Sequence, residues 1–233
     1  MKQIYFAILL FCVSVCASAE SNSYPLTELE RPITLPKGIG EVGLGLVYGM
    51  QSQNNGWPPL ALSLKYGISD DLELDLLGLR YRFFRNDWLQ TSVRAGLRGI
   101  GQSSGGSWVI MEGGFDVKHI YSPRVAMLYT FDGRYHQYSA QTDIVDLSVS
   151  IGPLVQLTES SALAINYCYR KISETGSAQG NWARAAFLWS MRTDLDFKFE
   201  GAIGNVRVSN DFRYSGNRNM YENTVGTQVR WRF

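Results

Sequence analysis

Val145-Asp146-Leu147-Ser148-Val149-Ser150-Ile151 decides how the chain is read. Every odd position is branched or aliphatic and every even one is polar, the period of a β-strand whose two faces meet different surroundings. The same beat runs outward in both directions. Upstream it carries Val42 to Tyr48, Leu60 to Tyr66, Leu72 to Leu76, Leu79 to Phe83, Leu89 to Leu97, Val109 to Val117 and Val125 to Phe131. Downstream it carries Leu163 to Tyr169, Ala183 to Met191, Leu195 to Ile203 and Val225 to Phe233. Past Gly204 the apolar positions Val206, Val208 and Phe212 fall out of phase by one, which predicts a β-bulge there.

The count is twelve strands, or ten if Leu72 to Phe84 forms one long strand kinked at Gly78. Tight turns at Ile68 to Asp71, Arg85 to Asp87, Tyr121 to Pro123, Thr158 to Ser161 and Thr193-Asp194 alternate with longer polar loops. Those loops are Gln51 to Pro59, Gly101 to Ser107, Gln137 to Thr142, Ser173 to Asn181 and Ser215 to Asn223. The fold class expected is all-β: a transmembrane antiparallel up-and-down β-barrel, with short turns at one end and longer loops at the other.

The first residues read as a cleaved signal peptide over 1–19. Lys2 supplies the positive start, Ile4 to Val15 the apolar run and Ala17-Ser18-Ala19 the small-residue cut. Val15 before Cys16 speaks against a lipoprotein. Residues 20–37 carry Pro25, Pro32 and Pro36 and are expected to form an irregular arm or a plug at the barrel mouth; residues 38–233 form the barrel. Removing the leader takes Lys2 from 22 basic residues, leaving 21 against 21 acidic, so the mature chain is neutral. That balance argues against nucleic acid as a partner. Cys168 is the one cysteine left, and no internal disulfide can form. No later window holds 18 apolar residues in a row, yet a spanning strand needs only about 10, half of them apolar.

Alternation also fits a soluble sandwich, in which the apolar face meets a core. Tyr48, Tyr66, Tyr121, Tyr135, Trp182, Trp189 and Trp231 gather towards strand ends, where amphipathic rings suit a membrane interface. The last residues, with Thr224 polar, then Gly226, then Val229, Trp231 and Phe233 on alternate places, resemble the terminal strand of Gram-negative outer-membrane β-barrel proteins. That resemblance implies insertion by the barrel-assembly machinery, a seat in outer-membrane lipid, and pairing of the first strand near Glu41 to Tyr48 with the last. Arg31-Pro32-Ile33-Thr34-Leu35-Pro36-Lys37-Gly38 and Tyr66 to Leu74 are similar to segments of the phenol-degradation (MetA-pathway-like) outer-membrane transporter type. No functional residue is carried over from it.

Taken at face value, the beat sends nine acidic and fifteen basic residues inward. Arg80, Arg82, Arg94, Arg98, Glu112, Asp116, Arg184, Arg230 and Arg232 are the lumen-lining candidates, and their excess of arginine favours anions. The function expected is a monomeric channel or passive transporter for small, anionic solutes. The alternatives are a filled structural or adhesive barrel, and a barrel hydrolase. Hydrolysis would need a histidine beside a nucleophile. His119 lies by a turn, and His136 near a loop with Asp132 and Ser139 close in sequence, but no His-x-Ser pair exists. The chain is therefore expected not to be an enzyme and to hold no metal or cofactor.

Overall fold

A strand's N–H and C=O groups point sideways, so a lipid-immersed sheet can satisfy them all only by closing on itself. In the structure, a computed structural model describing residues 24–49, 60–103, 106–139, 143–173, 177–208 and 223–233, closure is achieved. Twelve antiparallel strands follow one another around a barrel. They are β1 (Gly40–Gly49), β2 (Leu60–Gly67), β3 (Leu72–Asp75), β4 (Gly78–Arg85), β5 (Leu89–Ser103) and β6 (Gly106–Ser122). The circle continues with β7 (Val125–Tyr138), β8 (Ile144–Thr158), β9 (Ser161–Ser173), β10 (Ser177–Arg192), β11 (Leu195–Val208) and β12 (Thr224–Arg232). The seam pairs β1 with β12 from Glu41↔Arg232 to Gly49↔Thr224. At its end the Phe233 ring lies against Gly40, a contact that a Cβ at that glycine would block.

The faces sort as the period requires. Val145, Leu147, Val149 and Ile151 stand 40–47% exposed on the outer surface, and Leu62, Tyr167 and Ile203 belong to the same belt. Charged residues occupy the places a soluble protein gives to its core: Glu73, Arg82, Asp146, Asp196 and Arg232 are buried. So continuous an apolar exterior is far beyond what soluble monomers expose.

Three expectations change. β10 pairs with β11 without a shift from Ala178↔Val208 to Ser190↔Asp196, so no bulge occurs at Gly204. None is needed, because the inner wall there is itself apolar: Ala202, Trp182 and Ala178 are buried. The stretches Gly101 to Ser107 and Ser173 to Asn181 are mostly strand, with β5 reaching Ser103, β6 starting at Gly106 and β10 at Ser177. Beyond a lipid belt both faces meet water, and ladder pairing continues without an apolar alternation to announce it. The expected loop Gln51 to Pro59 and all of Ser215 to Asn223 except Asn223 lie outside the described residues, as does the leader.

The weakest link in the strand count becomes the oddest feature of the wall. β3 and β4 have four and eight residues. A spanning strand needs about 9–11, so this hairpin stops partway up. β4 leaves β5 at Gly78↔Gly96, whereas β5 continues beside β6 to Ser103↔Gly106. At the hairpin tip Leu76 has a positive φ of 44° and, with Leu77, is about half exposed. Asn or Gly would take that backbone at lower strain; leucines there mean that the turn faces hydrocarbon rather than water.

Candidate functional site: a charged lumen with a closed end and an open wall

The turn end of the barrel is filled by residues 24–38. Pro25, Pro32 and Pro36 cannot donate to a ladder, so this segment crosses the mouth in irregular conformation and reaches β1 through Gly38 at φ +82°. Its backbone donors are taken up by wall side chains. Leu29 N–H donates to Gln156 Oε1 (3.3 Å), Ile33 N–H to Gln90 Oε1 (3.0 Å) and Leu35 N–H to Glu73 Oε2 (2.8 Å). Lys118 Nζ donates to the carbonyls of Glu28 (2.8 Å) and Arg31 (2.9 Å). A Cβ at Gly67 would collide with the Leu35 and Pro36 carbonyls, so the wall is cut back where the arm passes.

Two side chains anchor the arm. Leu29 is buried among Ala126, Leu154, Ala162, Ala164, Ala186 and Leu188, an apolar inner wall made by small residues facing inward on β7 to β10. Arg31 reaches Asp196 with both terminal nitrogens (2.7 and 2.9 Å), Ser190 Oγ (2.9 Å) and Glu28 (2.5 Å). Arg232 joins from the seam, bridging Asp196 (2.5 Å) and Glu41 (2.9 Å). Both guanidinium groups stack on Tyr24, at 5.3 and 4.5 Å. Burial pushes the Tyr24 hydroxyl up to about 12, against the pull of Arg232 and Arg31. Burial also works to raise the Glu28 carboxyl, but Arg31, Arg230 and Lys118 outweigh it and hold that group below its ordinary range.

Higher in the lumen the candidate residues meet in ion-paired groups. Arg94 pairs with Asp116 (2.8 Å) and Asp132, and Thr130 Oγ1 donates to Asp116 (3.1 Å). Arg80 lies 3.5 Å from Glu73 and 3.7 Å from Asp116, and its Nη1 donates to Ile33 O. Arg134 spans Glu112 (3.6 Å) and Asp146 (3.7 Å), and Arg170 grips Asp146 at 2.8 and 2.5 Å. Lys198 pairs with Glu200 (2.7 Å). Arg82 is turned down to the mouth, on Asp71 and the Asp70 carbonyl. Arg184 is exposed inside the barrel, and neither it nor Arg230 has an ion-pair partner among the described residues. The side chain of Arg98 lies outside the described residues. The expected cationic excess thus resolves largely into ion-paired groups, with Lys118, Arg184 and Arg230 left outside them among the described residues.

Two cavities adjoin this network. One, of 260 Å³, lies between the arm and the wall of β1 to β4, β6 to β8 and β12. The other, of 420 Å³, sits above the β3–β4 tip and is lined from both sides of the wall. Leu62, Leu76, Leu79 and Leu97 come from the outer face, and Lys65, Arg80, Arg94 and Glu112 from the lumen. It lies where β4 has ended and β5 runs on beside β6 alone, so residues of both faces of the wall border one space.

The sequence reading placed an arm or plug at the barrel mouth but did not name its charged residues. Glu28 and Arg31 were not among the candidates, although a charged pair set between prolines in an extended approach is the signal that marks them. The residues named beside His136 are engaged elsewhere. His136 is buried beside Tyr138, while Asp132 is held by Arg94 and Ser139 Oγ by the Ser107 N–H. His119 packs in tilted ring contacts with Tyr121 and Trp88. Among the described residues no cluster could hold a metal ion. At the seam, Val229 and Trp231 face outward, Gly226 is buried inward and Phe233 closes the turn end against Gly40.

No protein-family model matches the chain, and no curated protein matches it in sequence. Solved structures do match in fold. The COG4313 outer membrane channel from Pseudomonas putida F1 is 12% identical with a TM-score of 0.56, over 93% of this chain and 100% of that one. The NanC porin is 12% identical with a TM-score of 0.51, over 82% of this chain and 98% of that one. At such identity the likeness establishes the outer-membrane barrel fold.

Proposed function

We propose that the protein is an outer-membrane channel for small solutes, set with its short turns and arm on the periplasmic side. Solutes with a substantial apolar part reach the lumen through the wall above the β3–β4 hairpin. The observation that carries this reading is the 420 Å³ cavity beside the hairpin, lined by leucines of the outer face and by charged residues of the lumen. An apolar molecule dissolved in the bilayer meets a hydrocarbon rim, then a polar interior that takes hold of its hydrophilic end. The arm prevents the barrel from being a plain aqueous hole. The fold shared with a channel and a porin supports the same class of activity.

A second reading, water-borne passage of anions from the loop end, is favoured by Arg184 and Arg230, inward cations without ion-pair partners among the described residues. Reconstituted protein separates the two. If solutes arrive through the wall, Leu62→Trp with Leu97→Trp should slow uptake of an apolar fluorescent reporter into liposomes several-fold while leaving ion conductance unchanged. Equal uptake by the filled variant would refute the wall route, and a loss of conductance alone would favour the second reading.

A further inference from the structure

The 260 Å³ cavity above the arm has an electrostatic surplus that its own residues do not consume. Arg31 and Arg232 are committed to Asp196, Glu28 and Glu41. Lys65 and Arg80 flank Glu73, each 3.5 Å away. Lys118 meets only carbonyl oxygens, and Arg230 has no hydrogen bond or ion pair among the described residues. Six cationic side chains, Arg31, Lys65, Arg80, Lys118, Arg230 and Arg232, therefore border this space against the carboxylates of Glu28, Glu41, Glu73 and Asp116, with Asp196 beside them, and neither Lys118 nor Arg230 has a carboxylate at ion-pair distance among the described residues.

The hydrogen-bond inventory points the same way. Among buried side-chain atoms without partners, Arg80 Nε, Arg230 Nε, and Arg232 Nε and Nη1 belong to residues lining this one cavity. Four guanidinium donors against a single acceptor, Glu73 Oε1, is a deficit of acceptors. Water can fill a donor's lone-pair requirement but cannot neutralise its charge. A carboxylate does both, since its two oxygens match the planar guanidinium fork. The cavity's lining also includes the apolar side chains of Ile33, Leu35, Leu128 and Leu154. Its volume lies just below that of pockets for drug-sized ligands, which start at about 300 Å³.

We propose that this cavity is a binding site for a small carboxylic acid anion with a short aliphatic or aromatic tail. The carboxylate sits on Arg230 and the Arg232 nitrogens that have no hydrogen bond, and the tail lies against the leucines of the arm and wall. The site names a solute class for the channel reading, but binding at equilibrium requires no transport, so the two can fail separately.

The test is calorimetric titration of the folded full chain in detergent micelles with benzoate and hexanoate, and with benzyl alcohol and hexanol as neutral counterparts. Saturable binding of the acids is expected, at least ten-fold tighter than the alcohols, and weakened at least ten-fold by Arg230→Gln. Arg184→Gln, outside the cavity, should leave affinity unchanged. Should Arg230→Gln fail to fold, Leu128→Trp fills the apolar side and must abolish binding of both acids. No saturable binding, equal binding of acids and alcohols, or full affinity in the Arg230 and Leu128 variants would each overturn the assignment.

Discussion

Arg31→Ala strikes the contact that fixes the arm. The guanidinium is 4% exposed and Asp196 1%, and the two share bonds of 2.7 and 2.9 Å. Breaking a buried pair from one side costs about 3–5 kcal/mol. Asp196 keeps Arg232 at 2.5 Å, which places this substitution at the lower end, about 3 kcal/mol. Each 1.4 kcal/mol is a factor of ten, so the docked-to-released ratio of the arm should fall roughly 100-fold. Hydrogen–deuterium exchange reads this locally. The amides of Leu29, Ile33, Leu35 and Lys37 donate to Gln156, Gln90, Glu73 and Asp70 of the wall, and their protection should drop by that factor. Amides of β8 and β9, bound to each other, should stay as they were. Unchanged protection of the four arm amides would refute the claim that this ion pair holds the arm.

Other consequences follow from the same geometry. Leu147→Arg places a charge on the lipid face and should destabilise the folded barrel in bilayers by about 2–4 kcal/mol, read by denaturant titration in liposomes. Arg94→Ser removes the cation between Asp116 and Asp132, so bilayer recordings should show selectivity moving towards cations; Arg94→Ser with Arg98→Ser should lower anion preference further. The Glu28 carboxyl lies below its ordinary value of 4.5 in the docked arm, so its contribution is complete above that value and lost as pH falls through the lowered one. A spin label at Lys37 should therefore keep its restricted mobility from neutral pH to about 5 and gain mobility only in stronger acid. Gly40→Val should hinder folding, since the Phe233 ring occupies the space its side chain would need.

How much of this is written in the sequence depends on range. The period-two beat assigns each residue to a face from its neighbours alone, which is why Val145 to Ile151 can be read without a structure. The seam could be inferred as well, because a lipid-immersed sheet must close and only one pair of strands is left to do so. The ion pairs could not. Arg94 meets Asp116 because β5 pairs with β6 in the register Arg94↔Gly114, and nothing local to either strand sets that register. A tally of fifteen inward bases against nine acids therefore suggested a cationic bore where the barrel holds compensated clusters. The inward-facing Ala162, Ala164 and Leu188 hid for another reason. Apolar residues on both faces of a strand look like a lapse of the pattern unless the arm that covers them is already known. The β3–β4 hairpin was legible only as an anomaly, a connection too short for its place; that it ends within the wall emerges from ladder lengths.

The period-two division into a lipid face and a polar interior carries the rest, and a label scan along β8 tests it most directly. With Cys168→Ser removing the one cysteine beyond the leader, single cysteines placed from Val145 to Ile151 in bilayer-reconstituted protein would carry spin labels. Positions 145, 147, 149 and 151 should be accessible to dissolved oxygen from the hydrocarbon, and 146, 148 and 150 to a water-soluble nickel complex. Uniform access of the nickel complex to both sets would show that the strand is not lipid-facing, and the barrel account would fall with it.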